Sequence, residues 1–216
     1  MPFTYNKSES ELLPKVAKTF FKERLTELNG AGLVCLSIIL FLSIISFSTD
    51  DSSFNTASSS EIQNFIGSIG AFVSDLLLHS VGFGCFVPIM TGLIWGFRII
   101  NKKKLTHLFI RCLALLIASI LYSTALSILD TNLAWPLMTK MGGVFGVMLL
   151  EGLTNSLSDI NIHLKSTFTG LGCGILAIII WVTALGIPRE EWQSFLKKSL
   201  KIILVSIKYL KKIIAI

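Results

Sequence analysis

LNGAGLVCLSIILFLSIISFSTDDSSFNT, residues 28–56, is the stretch whose reading decides the fold. Its first part, Leu28 to Thr49, lies between Glu27 and Asp50 and carries no charged side chain. A helix rises 1.5 Å per residue, so about 20 such residues cross the roughly 30 Å of hydrocarbon in a bilayer. The run then breaks into two adjacent carboxylates and a cluster of hydroxyls and amides. It reads as a membrane span followed by a water-facing loop.

Three more windows fit the same criterion: Leu76 to Phe97, Cys112 to Leu129 and Ser166 to Pro188. Across the 216 residues, 52% are apolar and 15% charged, with a mean hydropathy of +0.73. That composition sets the chain apart from ordinary soluble domains. The first window is not read as a cleaved signal peptide, because its apolar core is too long and no small-x-small cleavage site follows. Two shorter apolar stretches, Ile62 to Ser74 and Met141 to Leu150, cannot span alone. They are expected as interfacial or re-entrant helices packed against the spans. The first has helical periodicity, with Ile62, Phe65, Ile66, Ile69, Phe72, Val73 and Leu76 on one face, and is expected to run into the second span as one bent helix.

The cations give the orientation. Lys7, Lys15, Lys18, Lys22 and Arg24 precede the first span, and five lie between spans two and three in RIINKKKLTHLFIR, residues 98–111. The first loop has none, the second long loop only Lys140 and Lys165, and seven follow the last span. Cationic flanks stay in the cytoplasm, so both termini are expected inside and the acidic patch outside, which in a Gram-negative cell means the periplasm. The formal charge of +6 then reflects topology and anionic lipid, and no nucleic-acid-reading motif accompanies it.

The expected fold is an all-α membrane protein of four transmembrane helices, N-in and C-in. Short re-entrant or interfacial helices lie on its outer side, and a basic amphipathic helix closes the chain. The expected segments are a cytoplasmic basic stretch 1–27, a membrane domain 28–190 and a cytoplasmic amphipathic helix 191–216. In the last, Leu196, Leu200, Ile203, Leu204, Ile207, Leu210 and Ile214 share one arc. Lys197, Lys201, Lys208, Lys211 and Lys212 share the opposite one, the pattern of a helix lying flat on a membrane surface. A fifth span would bury several lysines at about 2.5 to 3.5 kcal/mol each, and is rejected on that cost. A partner helix of the calmodulin-target or coiled-coil kind is the competing reading.

Chemistry is sparse. GGVFG at 142–146 and GLGCG at 170–174 have no Lys-Ser/Thr pair after them and no βαβ unit around them, so no nucleotide site is expected. Gly92/Gly96, Gly142/Gly146 and Gly170/Gly174 are each four apart, a spacing that lets helix backbones approach, within one copy or between copies. His79, His107 and His163 are too dispersed for a metal site. Cys35, Cys85, Cys112 and Cys173 fall one to a span and read as small buried hydrophobes. Asp75, one turn before His79, is read as marking the outer membrane boundary, with half of a proton relay as the alternative. No catalytic dyad and no cofactor are expected, and the chain is read as a non-enzyme.

SFSTDDSSFNTA (46–57), IGSIGAFVSDLLLHSVGFGCFVPIMTGLIWGFRII (66–100), a basic turn and GGVFGVMLLEGL (142–153) together resemble the amino-terminal membrane domain of FtsK/SpoIIIE-type DNA translocases. That family's first loop commonly reads Tyr-Asp/Ser-Pro-x-Asp-Pro-Ser-Phe-Asn. Phe47, Ser48, Asp51, Ser53, Phe54 and Asn55 keep its outline, with neither proline. Gly67, Gly70, Ala71, Asp75 and Leu76 to Leu78 match its Gly-x-x-Gly-Ala-x-x-x-Asp-Leu-Leu segment, and Gly142, Gly143 and Gly146 its Gly-Gly-x-x-Gly turn. The resemblance covers roughly residues 22 to 190.

It implies a divisome-associated anchor in the bacterial inner membrane, enriched at the septum, that serves cell division and chromosome partition. The implied partners are other division proteins, a second copy of the chain, or a separately encoded motor. No Walker motif is present, so neither ATPase activity nor sequence-specific DNA binding is expected of these residues. In this reading Asp50, Asp51 and Ser53 cap the segment after the first span, and Phe54 anchors it to the bundle or a partner, with Asn55 and Asp75 in the same outer patch. A small channel or transporter subunit with Asp75 and His79 on a polar path is the rival function.

Overall fold

A computed structural model describes residues 7–129, 137, 139–162 and 164–214, with side chains described within 17–202 and at 206. Every regular element among them is helical: α1 Lys7–Ile45, α2 Gly67–Val81, a 3-10 turn Gly82–Cys85, α3 Phe86–Ile100, α4 Leu108–Leu126, α5 Gly143–Asp159, α6 Ser166–Leu185 and α7 Arg189–Ile214. Four stretches are long and apolar enough to cross a membrane: Ala17–Ile45, Gly67–Ile100, Leu108–Leu126 and Ser166–Leu185. The described residues form two compact units, one through Leu185 and one from Gly186.

In the first unit α1 packs along α3 and α4 along α6, while α5 touches α2, α4 and α6. The contacts reverse the soluble pattern. Ser37, Ser43, Ser74, Thr91, Ser119, Ser123, Thr124 and Ser127 are buried, whereas Ile38, Ile39, Leu116, Ile175 and Ile179 face outward. Lipid tails are as apolar as leucine, so helices associate by close fit of small residues rather than by hiding large ones. Most of these hydroxyls bond the carbonyl four residues back, as Ser37 does to Leu33 at 2.8 Å and Thr91 to Val87 at 2.8 Å. A compact apolar cluster of Ile44, Leu78, Cys85 and Ile89 fills the interior near Phe41, Phe83 and Phe86.

Span 2 bends where the sequence changes. Gly82 ends α2 with φ +55°, a conformation that suits glycine, and Pro88 sits in the first turn of α3, where a missing N–H costs nothing. The Gly142-Gly143 turn docks on that elbow. Phe83 N–H donates to the Met141 carbonyl at 2.9 Å, and Ser123 Oγ donates to the Val81 carbonyl at 2.6 Å. A Cβ on Gly143, itself at φ +66°, would lie 2.5 Å from Gly82 N and 2.7 Å from Ser80 O.

Several expectations are corrected. Helix α2 starts at Gly67 rather than Ile62, because Gly67 turns the backbone at φ +73° and separates 62–66 from the helix that follows. From Gly67 the stretch does run into the second span as one bent helical segment, Gly67–Ile100, and the bend lies at Gly82. Phe65, Ile69 and Leu76, on the apolar stripe, face outward, and the opposite small face of Gly70, Ala71, Ser74 and Asp75 is buried. Cys35 and Cys112 are exposed rather than buried, since they sit on outward faces where a thiol suits lipid. His163 lies outside the described residues.

Helix α7 forms the second unit. Glu190 and Glu191 occupy its first turn, favourable at the positive end of the helix dipole. Lys197 and Lys201 are exposed, as are Leu196 and Leu200. Lys208, Lys211 and Lys212 fall in its later turns, outside the described side chains.

Candidate functional site: the loop after the first span

The loop leaves α1 at Ile45 because the next positions are rich in hydroxyls that bond backbone locally. Ser46 Oγ donates to the Leu42 carbonyl at 2.7 Å and accepts the Phe65 N–H at 3.0 Å, so both ends of the loop meet at one hydroxyl. Asp51 closes it. Its carboxylate is 1% exposed and accepts the Gln63 N–H at 2.7 Å and the Asn64 N–H at 3.0 Å, one on each oxygen. Charge-assisted bonds of this kind are about twice as strong as neutral ones and offset the desolvation of the ion.

Asn64 ties the closed loop to the spans. Its Nδ2 donates to the Ser43 carbonyl at 2.8 Å and its Oδ1 accepts the Ile66 N–H at 3.1 Å. Ser43 Oγ donates to the Gly70 carbonyl at 2.7 Å. A side chain at Gly70 would collide with Asn64, with Ile66 Cβ only 2.6 Å from the added atom. Spans 1 and 2 are thus joined at this end by polar bonds, although their outer faces are apolar.

Asp75, also 1% exposed, is the second tie. Its Oδ2 accepts the Asn55 N–H at 3.2 Å and Asn55 Nδ2 at 2.9 Å, and its Oδ1 lies 2.9 Å from His79 Nδ1. The expected water-exposed boundary residue is therefore a buried one, covered by the loop that Asn55 brings down. Phe54 stacks edge-on against Phe72 at 5.0 Å between centroids while remaining 71% exposed.

Of the outer residues singled out from sequence, the structure brings Phe54, Asn55 and Asp75 together, and places Asp51 in the loop closure. Asp50 and Ser53 are elsewhere: Asp50 is exposed and its carbonyl accepts Ser60 Oγ at 2.6 Å, and Ser53 N–H donates to the Thr56 carbonyl at 2.9 Å. None caps α2, whose N-cap Ile66 has no side-chain cap bond. Asn64 and Ser43 were missed. An asparagine just before Gly67-x-x-Gly70 is the signal that could have drawn attention to them.

The glycine pairs lie at contacts between helices of one copy. A Cβ at Gly96 would fall 2.5 Å from Val34 Cγ2 on α1, and one at Gly92 would meet Ser37. Gly142 and Gly146 meet Ser123 and Ser127, Gly170 meets Ile128, and Gly174 approaches Ala125 at 3.1 Å.

At the opposite end, Lys102 Nζ lies 2.7 Å from Glu23 and 3.8 Å from Glu27, holding the 101–107 loop to α1. The hydrogen bond and charge of Glu23 raise the Lys102 ammonium above its usual range. Arg111 donates to the Thr183 carbonyl at 3.1 Å, serving carbonyls at the C-terminal end of α6.

Four apolar helical stretches with small polar residues inward and large aliphatics outward define a multi-pass helical membrane protein. Residues 22–199 match the family described as the 4TM region of DNA translocase FtsK/SpoIIIE, and the chain belongs to that family. It is 25% identical over 184 residues to a DNA translocase FtsK of Azospirillum brasilense, covering 84% of this chain and 29% of that protein. It is 29% identical over 139 residues to one of Bradyrhizobium diazoefficiens, covering 64% of this chain and 17% of that protein. Against one of Rickettsia bellii it is 29% identical over 170 residues, covering 77% and 20%. The chain thus spans less than a third of the length of these curated relatives. No solved structure matches the chain.

Proposed function

We propose that these residues are the inner-membrane anchor of an FtsK-like DNA translocase system acting in cell division and chromosome partition, with both termini cytoplasmic and enrichment at the septum. The family match over residues 22–199 carries this reading. The cation distribution supports the orientation: the end bearing Lys102 to Lys104 faces the cytoplasm and the Asp51–Asn64 loop faces the periplasm. The exposed Phe54 ring, held in place by Phe72 and the Asn55–Asp75 bonds, is the contact that the outer loop offers another division protein. Segments 1–27 and 191–216 flank the membrane domain 28–190, and α7 lies on the inner leaflet through Lys197, Lys201, Lys208, Lys211 and Lys212.

These 216 residues supply tethering, and the motor acts from a polypeptide or segment outside them. The rival, a transport path through Asp75 and His79, is disfavoured because both Asp75 oxygens are engaged and the carboxylate is shut from solvent. A fluorescent fusion is expected to form a band at the division site. An even signal around dividing cells would refute the division role.

A further inference from the structure

The cleft between α1 and the 101–107 loop has the make-up of a lipid headgroup site. It encloses about 560 Å³, within the range of small-ligand pockets. Its charged lining is Lys22, Lys102, Lys103 and Lys104 against Glu23 and Glu27, so cations outnumber anions two to one. Both carboxylates are already engaged, Glu23 by Lys102 at 2.7 Å and Glu27 by Arg24 at 2.6 Å. The uncharged wall combines the polar Thr19, Thr26 and Asn29 on α1 with an apolar side formed by Ile99, Leu105 and Leu108.

The cleft's place in the bundle identifies the anion. Glu27 is the last charge before span 1, Lys102 follows the end of span 2 at Ile100, and Leu108 opens span 3. The cleft therefore sits where hydrocarbon gives way to water, and Leu108 in its wall is itself half exposed, next in the chain to the outward-facing Phe109. A free phosphate has no use for that wall. A diacyl lipid does, with its phosphate among the ammonium groups and its first methylenes along the leucines. The Lys102–Glu23 bond fixes the loop over α1 and so shapes the cleft before any ligand enters.

We propose that this cleft binds the headgroup of one anionic glycerophospholipid from the leaflet at this end of the bundle. The site goes beyond the anchoring role and depends only on the bundle crossing a bilayer, so it can hold or fail independently of septal localisation.

Native mass spectrometry of the full chain, titrated in detergent with dioleoyl phosphatidylglycerol, tests it. One lipid per chain is expected to be retained, with dioleoyl phosphatidylcholine bound at least about tenfold more weakly. The exposed triple change K22Q/K103Q/K104Q is expected to weaken phosphatidylglycerol by at least about tenfold, while K197Q/K198Q/K201Q in α7 leaves it within about twofold. The single loop change K104E, which alters no helix, moves affinity in the same direction and covers the case of a poorly folded triple variant. Equal retention of the two lipids, undiminished binding by the cleft variants, or displacement of the lipid by inorganic phosphate would each overturn the site.

Discussion

Asn55 gives both its backbone N–H and its side-chain amide to a single oxygen of Asp75, at 3.2 and 2.9 Å, across twenty residues of chain. One residue of the loop thereby covers a carboxylate in the third turn of α2, whose other oxygen lies 2.9 Å from His79 Nδ1.

Removing either side of that pair should release the loop. Asn55→Ala and Asp75→Asn are each expected to lower stability in detergent by about 1–3 kcal/mol, and the double variant to lose clearly less than the sum. Denaturant titrations of the four proteins in a mutant cycle measure it; strict additivity would show that the contact carries no coupling.

The two adjacent aspartates should behave differently. Asp51→Ala strands the Gln63 and Asn64 amides and is expected to cost about 3 kcal/mol, whereas Asp50→Ala, at an exposed side chain, stays within about 0.5 kcal/mol. Melting temperatures of the two variants decide the point.

Glycine substitutions should sort by their surroundings rather than by spacing. Gly146→Ala puts a methyl 2.5 Å from the Ser123 carbonyl and Gly96→Ala puts one 2.5 Å from Val34, so both should destabilise, by about 1–3 kcal/mol. Gly152→Ala and Gly172→Ala meet nothing within 4 Å and should be neutral or slightly stabilising, as helix propensity dictates. Thermal unfolding in one detergent compares all four.

The proposed orientation predicts a labelling pattern. With the four native cysteines replaced by alanine, Ser58→Cys should react with an impermeant maleimide on intact spheroplasts. Lys103→Cys should react only after permeabilisation. The reverse pattern would invert the bundle and remove the periplasmic assignment of the first loop.

The spans were legible because bilayer thickness imposes a length that ion-free windows display directly, and each of the four windows overlaps a long apolar helix. The interior was less legible. The regular stripe from Ile62 to Leu76 draws the eye, yet its exposed members face outward, and the unremarkable Gly70, Ala71 and Ser74 make the contact. The loop closure was hidden for a different reason. Asp51 is satisfied by backbone amides of residues twelve and thirteen positions on, and a backbone partner leaves no trace in residue identity. Asp75 looked like a boundary marker because nothing in its neighbourhood announces Asn55.

The hydroxyls buried between the helices carry a consequence for biogenesis. Ser37, Thr91, Ser119 and Thr124 each return their proton to the preceding turn of the same helix. A newly made segment so equipped needs no companion to enter the membrane. Each span can be delivered singly by the insertion machinery and find its mates afterwards by lateral diffusion, with the steric fit of small side chains acting as the sorting code.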